Sequence, residues 1–148
     1  MKPALLAATA IFLCMATPAN AQLSKPETKM AATVDAEYER SVALLEKLVN
    51  QNSGSLNLDG VEKVGQMMRA ELEMLGFNVR WVPMAAAGRS GHLIATRKGD
   101  GKGNKMLLIG HLDTVFEPAS PFQTFVREGD KAVGPGANDN KGGIVIML

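Results

Sequence analysis

The amino-acid sequence predicts an α/β fold, and three features lead to that prediction. Two segments, residues 35–50 and 59–75, carry apolar residues at helical spacing. Two later segments, residues 77–82 and 92–97, have the composition of β-strands. A short continuous apolar run, Met106 to Ile109, is typical of a strand that is covered on both faces. Amphipathic helices together with such a strand indicate an α/β sheet.

The N-terminal segment has the pattern of an export signal. Residues 1–21 combine a basic start, an apolar run from Ala4 to Ala16 and the small-x-small sequence Ala19-Asn20-Ala21, which predicts a cleaved signal peptide. The run is shorter than the roughly 20 residues that span a bilayer, and Pro18 follows it. We therefore expect a periplasmic or secreted protein without a membrane anchor, whose mature chain begins at Gln22.

Composition limits the kinds of site that the mature chain can build. The 148 residues have room for one domain, and a hydrophobic content of 46% is ordinary for a globular protein. The one cysteine, Cys14, lies in the signal segment after Leu13, where a lipoprotein signal would carry a small residue. Any transition metal must therefore be bound by His, Asp or Glu. Without residues 1–21, basic and acidic residues are equal in number, so charge gives no reason to expect nucleic-acid binding.

The helical part of the chain is predicted in two segments. Residues 22–34 are polar and aperiodic, so we expect a mobile leader ahead of a domain that covers residues 35–148. The first helix is predicted from Asp35 to Asn50, and the second opens with a capping-box pattern at Asp59 and stops at Gly76. The predicted buried stripes are Tyr38, Val42, Leu45, Leu48 and Val49 in the first helix, and Val61, Val64, Met68, Leu72 and Leu75 in the second. Met67, Met68 and Met74 are interpreted as core residues and not as a binding groove.

The strands follow the helices. The first two are expected to pair across a small-residue turn region, and Gly129-Asp130 indicates a hairpin between the last two. In chain order, strands are predicted at Phe77 to Val82, His92 to Arg97, Met106 to Ile109, 125–128 and 131–133. His92 stands between apolar neighbours in the second strand and is interpreted as structural.

A first polar cluster, GHLDT at residues 110–114, comes directly after the predicted buried strand. His111 therefore stands at the carboxyl end of a strand, where α/β folds carry functional groups. Asp113 can serve as the acceptor that fixes the tautomer of a metal-binding imidazole. On spacing alone, a structural histidine–acid pair is the more common arrangement and metal binding is the alternative.

A second polar cluster, GPGANDNKGG at residues 134–143, is a glycine-rich loop with Asp139 in its middle. Glycines permit a tight backbone, and a carboxylate can bridge two divalent ions through its two oxygens. A phosphate-binding loop needs GxxxxGK followed by Ser or Thr, and a dinucleotide-binding loop needs Gly where Asp139 stands, so nucleotide binding is excluded. Asp139 is the second candidate metal ligand.

Together, GHLDTV, a hairpin and GPGANDNKGG resemble the signature of the zinc-dependent aminoacylase and carboxypeptidase family. Pro135 and the stretch FVREGDKAVGPG are most similar to its glutamate carboxypeptidase branch, the carboxypeptidase G type, and the similarity runs from about Tyr38 to Leu148. The resemblance implies part of a three-layer α/β zinc-exopeptidase catalytic domain with a central mixed sheet, truncated before the lid domain. Asn140 departs from the family, which usually has Asp or Met there, but that position is not a metal ligand.

The resemblance also implies a role for each site residue. His111 would ligate one zinc ion, Asp113 would orient His111, and Asp139 would bridge two zinc ions while a metal-bound water attacks an amide carbonyl. The implied substrate is a small peptide or N-acyl amino acid from which C-terminal glutamate is released, and family members often form homodimers through the lid domain. The family's other ligands and its catalytic Glu follow the bridging Asp, so we expect an N-terminal fragment that is inactive by itself.

Two alternatives stay open at this stage. The parent enzyme can be a deacylase or dipeptidase of the same family, because the family's substrate-recognition residues lie mostly outside the part of the enzyme that this chain resembles. The chain can also be a small exported binding protein without catalysis, in which both polar clusters serve only the structure.

Overall fold

A computed structural model describes residues 22–148, and the predicted signal peptide lies outside this range. The described part is a mixture of helices and strands, which is compatible with a partial α/β domain. Both sheets in it have two strands, so three layers and a central mixed sheet are not seen within residues 22–148. Its helices and strands are α1 Lys25–Asn50, α2 Leu58–Met74, β1 Asn78–Pro83, β2 Gly91–Thr96, β3 Val126–Glu128, β4 Lys131–Val133 and α3 Gly142–Ile146. Among these helices, none combines the length and apolar character needed to cross a bilayer.

Helix α1 is longer than predicted, because it begins at Lys25 within the segment assigned to a leader. A capping box sets this start: Glu27 N–H donates to the Ser24 hydroxyl, and Ser24 N–H donates to the Glu27 carboxylate. Pro26 fits in the first turn, where a missing N–H leaves no hydrogen bond unmade. The predicted start at Asp35 is therefore wrong, because it relied on an apolar stripe and this exposed half of the helix has none. The mobility of residues 22–34 stays a prediction.

Helix α2 has the predicted end and a different beginning. Asn57 is the N-cap residue, since its side-chain oxygen accepts a hydrogen bond from Gly60 N–H at 3.1 Å. The prediction of Asp59 as the cap is wrong. Asp59 lies in the first turn, where its negative charge interacts favourably with the helix dipole. Gly76 has φ +80° and ends the helix as predicted, with its N–H donating to Glu73 and that of Phe77 donating to Leu72.

The buried core lies where the three helices meet. It consists of Leu44 and Leu48 from α1, Val64 and Met68 from α2, and Ile144 from α3. Burying each such side chain stabilises the fold by about 1.5–3 kcal/mol. Met68 and its neighbour Met67 pack in or against this core, whereas Met74 is exposed. The core interpretation of the methionines thus holds for two of the three.

The two predicted strand pairs are confirmed. Strands β1 and β2 form an antiparallel pair whose register joins Asn78 to Thr96 and Pro83 to Gly91. Strands β3 and β4 form a second antiparallel pair across a turn at Gly129, which has φ +58°. His92 lies in β2, as predicted, with its side chain exposed.

The predicted buried strand at residues 106–109 is not formed. Met106, Leu107, Leu108 and Ile109 are 82%, 81%, 57% and 77% exposed and belong to no strand. A strand requires a neighbour that accepts and donates its backbone hydrogen bonds, and within residues 22–148 no segment pairs with this run. The apolar composition therefore indicates that residues 106–109 favour burial, but no other segment within residues 22–148 covers them.

Candidate metal centre

The structure brings together the two candidate metal ligands, His111 and Asp139. They are 28 positions apart in sequence, and the Nε2 atom of His111 lies 2.8 Å from Oδ1 of Asp139. His111 belongs to the extended segment before Thr114, and Asp139 belongs to the single turn Ala137–Lys141 that precedes α3. The arrangement faces solvent, because the two side chains are 45% and 82% exposed.

Asp113 lies on the opposite side of the imidazole ring. The Nδ1 atom of His111 is 3.0 Å from the Asp113 carbonyl oxygen and 3.2 Å from its carboxylate Oδ1. Both atoms accept hydrogen bonds only, so Nδ1 must carry a proton when it contacts them. The sequence predicted a supporting role for Asp113 beside the imidazole ring, and that role stays a prediction.

The charges around His111 favour a cation at its Nε2 atom. Partial burial lowers the pKa of His111, but hydrogen bonds to Asp139 and to the Asp113 carbonyl, together with the charges of both carboxylates, raise it overall. With a proton on Nδ1, the Nε2 lone pair of the neutral ring points at a carboxylate oxygen. A proton between these two atoms removes that repulsion.

The two donor atoms are of types that bind zinc, but a zinc site needs more donors than these two. Imidazole nitrogen and carboxylate oxygen are two of the three common zinc donors, and Oδ2 of Asp139 accepts no hydrogen bond within residues 22–148. Protein zinc sites use at least three side chains. In the described part of the chain, no group of three or more His, Cys, Asp or Glu side chains is arranged to hold a metal ion.

Glycine allows the Asp139 loop to approach the His111 segment closely. Gly136 has φ +75°, and a Cβ atom at this position would overlap the methyl group of Thr114. The backbone N–H of Lys141 donates to the Gly136 carbonyl at 2.8 Å and closes the turn that carries Asp139. The peptide bond between Asp139 and Asn140 is cis.

A buried lysine anchors the same loop from below. The side chain of Lys141 is fully buried, and its Nζ donates to the carbonyl oxygens of Leu48 at 2.7 Å and Gln51 at 3.0 Å. Leu48 lies in the last turn of α1 and Gln51 is its C-cap residue, and a cation at this end also complements the helix dipole. Burial lowers the pKa of Lys141 to about 8. The sequence analysis did not identify Lys141 as an anchor of the loop, although a single Lys in a run of small residues could have indicated it.

The connection between α1 and α2 supports the His111 segment from another side. The Ser53 carbonyl accepts from Thr114 N–H at 2.8 Å, and Ser55 N–H donates to the Thr114 carbonyl at 3.0 Å. The hydroxyl of Ser55 lies 2.5 Å from Oδ2 of Asp113. Sequence reasoning missed Ser55 and Thr114, and no local signal marks them, because they meet only after the chain has folded.

A comparison with curated proteins finds a relative with a known activity. The chain is similar to carboxypeptidase G2 of Pseudomonas sp. (strain RS-16), with 34% identity over 147 residues. The match covers 95% of this chain and 34% of that protein, so the chain spans about a third of the relative's length. A scan against models of protein families finds no match.

Proposed function

Because the chain belongs to the glutamate carboxypeptidase family, we propose that it is the N-terminal part of a two-zinc exopeptidase that releases C-terminal glutamate. Membership supports a hydrolase of the carboxypeptidase class. The observation that carries the zinc proposal is the 2.8 Å approach of His111 Nε2 to Asp139 Oδ1, with Asp113 on the other ring nitrogen. The proposed substrate is a small peptide or N-acyl amino acid, and the proposed location is the periplasm or the exterior of the cell.

Each of the three side chains would have its own task. Nε2 of His111 and the carboxylate of Asp139 would hold zinc, and Asp113 would keep the proton on Nδ1 so that Nε2 stays available. When bound, zinc supplies Lewis-acid polarisation of the amide carbonyl and a water of lowered pKa. The Asp139 side chain is 82% exposed, so its carboxylate would be accessible to metal ions.

The proposal includes a larger fold than residues 22–148 form. We propose that residues 106–109 are a strand of a central mixed sheet in a longer protein with a three-layer catalytic domain. Four consecutive exposed apolar side chains support this, since water-exposed runs of this kind are unfavourable unless another segment covers them. The match to about a third of the relative's length is consistent with such a protein.

We further propose that residues 22–148 alone have no appreciable peptidase activity. The pair His111 and Asp139 is open to solvent and supplies fewer donors than a zinc site needs. The test is glutamate release from an N-acyl-glutamate by the purified chain with added zinc. Turnover at enzyme-like rates would refute this part of the proposal.

Zinc binding tests the metal site itself, and the second histidine offers a matched control. We expect zinc to shift the ring nitrogen resonances of His111 in NMR spectra of the purified chain, with weak affinity because only two donors are present. His111→Ala should abolish the saturable binding, whereas His92→Ala should preserve it, because His92 lies exposed on β2. Equal zinc affinity in His111→Ala and the unaltered chain would refute the metal site.

A further inference from the structure

We infer that Ser55 is a positioning residue for His111: its hydroxyl holds the Asp113 carboxylate so that the Nε2 atom of His111 stays unprotonated and able to bind a metal. The inference rests on the proposed metal function, which it extends to a residue of the α1–α2 connection. Within residues 22–148 the Ser55 hydroxyl hydrogen-bonds to Asp113 and not to His111 or Asp139, so we expect it to act through Asp113.

The backbone places Ser55 beside Asp113 in a fixed register. Thr114 N–H donates to the Ser53 carbonyl, and the Thr114 carbonyl accepts from Ser55 N–H. These two hydrogen bonds, to the residues on either side of Gly54, form a parallel bridge. A Cβ atom on Gly54 would lie 2.7 Å from the Cα of Glu117, so a glycine is needed for this close approach. On the far side, Asn57 N–H donates to the Gly54 carbonyl at 2.8 Å and ties the turn to the start of α2.

The Ser55 hydroxyl has one proton and two acceptors within reach. Its Oγ lies 2.5 Å from Oδ2 of Asp113 and 3.3 Å from the carbonyl oxygen of Thr114. A hydrogen bond to a carboxylate is charge-assisted and therefore stronger than one to a neutral carbonyl. Distance and charge both direct the proton to Asp113.

The two oxygens of Asp113 are thereby divided between two partners. Oδ2 accepts from Ser55, and Oδ1 faces Nδ1 of His111 at 3.2 Å. Because the carboxylate is partly exposed, water competes for both oxygens, and rotation about the last side-chain bond would turn Oδ1 away from the ring. The Ser55 hydrogen bond opposes that rotation.

The orientation of the Asp113 carboxylate adds to the backbone carbonyl in setting which ring nitrogen of His111 presents a lone pair. A neutral imidazole has one N–H, which donates either from Nδ1 to Asp113 or from Nε2 to Asp139. Only the first tautomer leaves Nε2 able to bind a metal. The backbone carbonyl of Asp113 accepts at Nδ1 at 3.0 Å, and Ser55 strengthens the preference for the first tautomer because it keeps a second acceptor, carboxylate Oδ1, at 3.2 Å from the same nitrogen.

The experiment measures the tautomer of His111 directly. In the full chain with ring-labelled histidine, nitrogen NMR above the titration midpoint of His111 gives the ratio of the two tautomers. We expect Ser55→Ala to shift this ratio toward the Nε2–H form and to weaken zinc binding by about tenfold, the lower end for residues that orient a metal ligand. Ser55→Thr, which keeps a hydroxyl, should restore both values.

Ser90→Ala is the matched control, because Ser90 donates a similar 2.7 Å hydrogen bond to the Leu58 carbonyl and not to Asp113. It should leave the tautomer ratio and the zinc midpoint unchanged. An unchanged ratio in folded Ser55→Ala would overturn the role of Ser55, whereas absence of a zinc response in the unaltered chain would overturn the metal proposal. Should Ser55→Ala not fold, Ser55→Cys, whose thiol is a weak donor, gives the same decision.

Discussion

Residues 106–109 and residues 111–114 are neighbours in the chain and differ completely in how they are held. The first group is apolar, exposed and unpaired within the described chain. The second group carries the polar side chains of His111, Asp113 and Thr114, and hydrogen bonds with Ser53, Ser55 and Asp139 hold it in place. The difference arises because residues 22–148 contain hydrogen-bond partners for the polar group, whereas an apolar strand needs a neighbouring strand and a cover on each face, which these residues do not supply.

Gly136→Ala should cause the largest loss in the well-held region. The substitution places a Cβ atom where φ is +75° and where the Thr114 methyl already lies, so we expect the free energy of unfolding to fall by about 3 kcal/mol. Denaturant unfolding measures it. Gly88→Ala is the matched control: its φ is +64° but no atom lies near the added methyl, so it should cost only about 1 kcal/mol. Equal losses would show that the loop does not pack against Thr114.

Lys141→Met should have the next largest effect. It removes the donor to the Leu48 and Gln51 carbonyls, and leaving them without a partner should cost about 2 kcal/mol of unfolding free energy. Thermal or denaturant unfolding measures the loss. Lys131→Met, on exposed β4, is the control and should change stability by less than about 0.5 kcal/mol. If both variants matched the unaltered chain, Lys141 would not anchor the loop.

Leu107→Gln should have the smallest effect on stability. Leu107 is 81% exposed, so the unfolding free energy should change by less than about 0.5 kcal/mol, while self-association should decrease because an exposed apolar run becomes polar. Unfolding and sedimentation measure the two quantities. A loss of about 2 kcal/mol or more would instead mean that residues 106–109 are buried in solution.

Local patterns predicted what local physics controls. Capping and turn residues predicted the end of α2 at Gly76 and the β3–β4 hairpin at Gly129, alternation predicted β1, and β-rich composition predicted β2. The start of α1 at Lys25 is also encoded by nearby residues, Ser24 and Glu27. The prediction relied on an apolar stripe and therefore did not include this capping box, which lies in an exposed segment. Met74 was misassigned because spacing shows the face of a helix and not how far the core extends along it.

The sequence by itself determined the types of donor at the candidate site and their order, because an imidazole after an apolar run and a carboxylate in a glycine loop are properties of residue type. Only the tertiary structure decided that His111 meets Asp139, that Ser55 reaches Asp113 and that Lys141 anchors the loop to α1. These contacts join segments 28 to 93 positions apart, and no periodicity within one segment encodes them. The exposure of residues 106–109 has the same origin, since burial depends on which other segments pack against a strand.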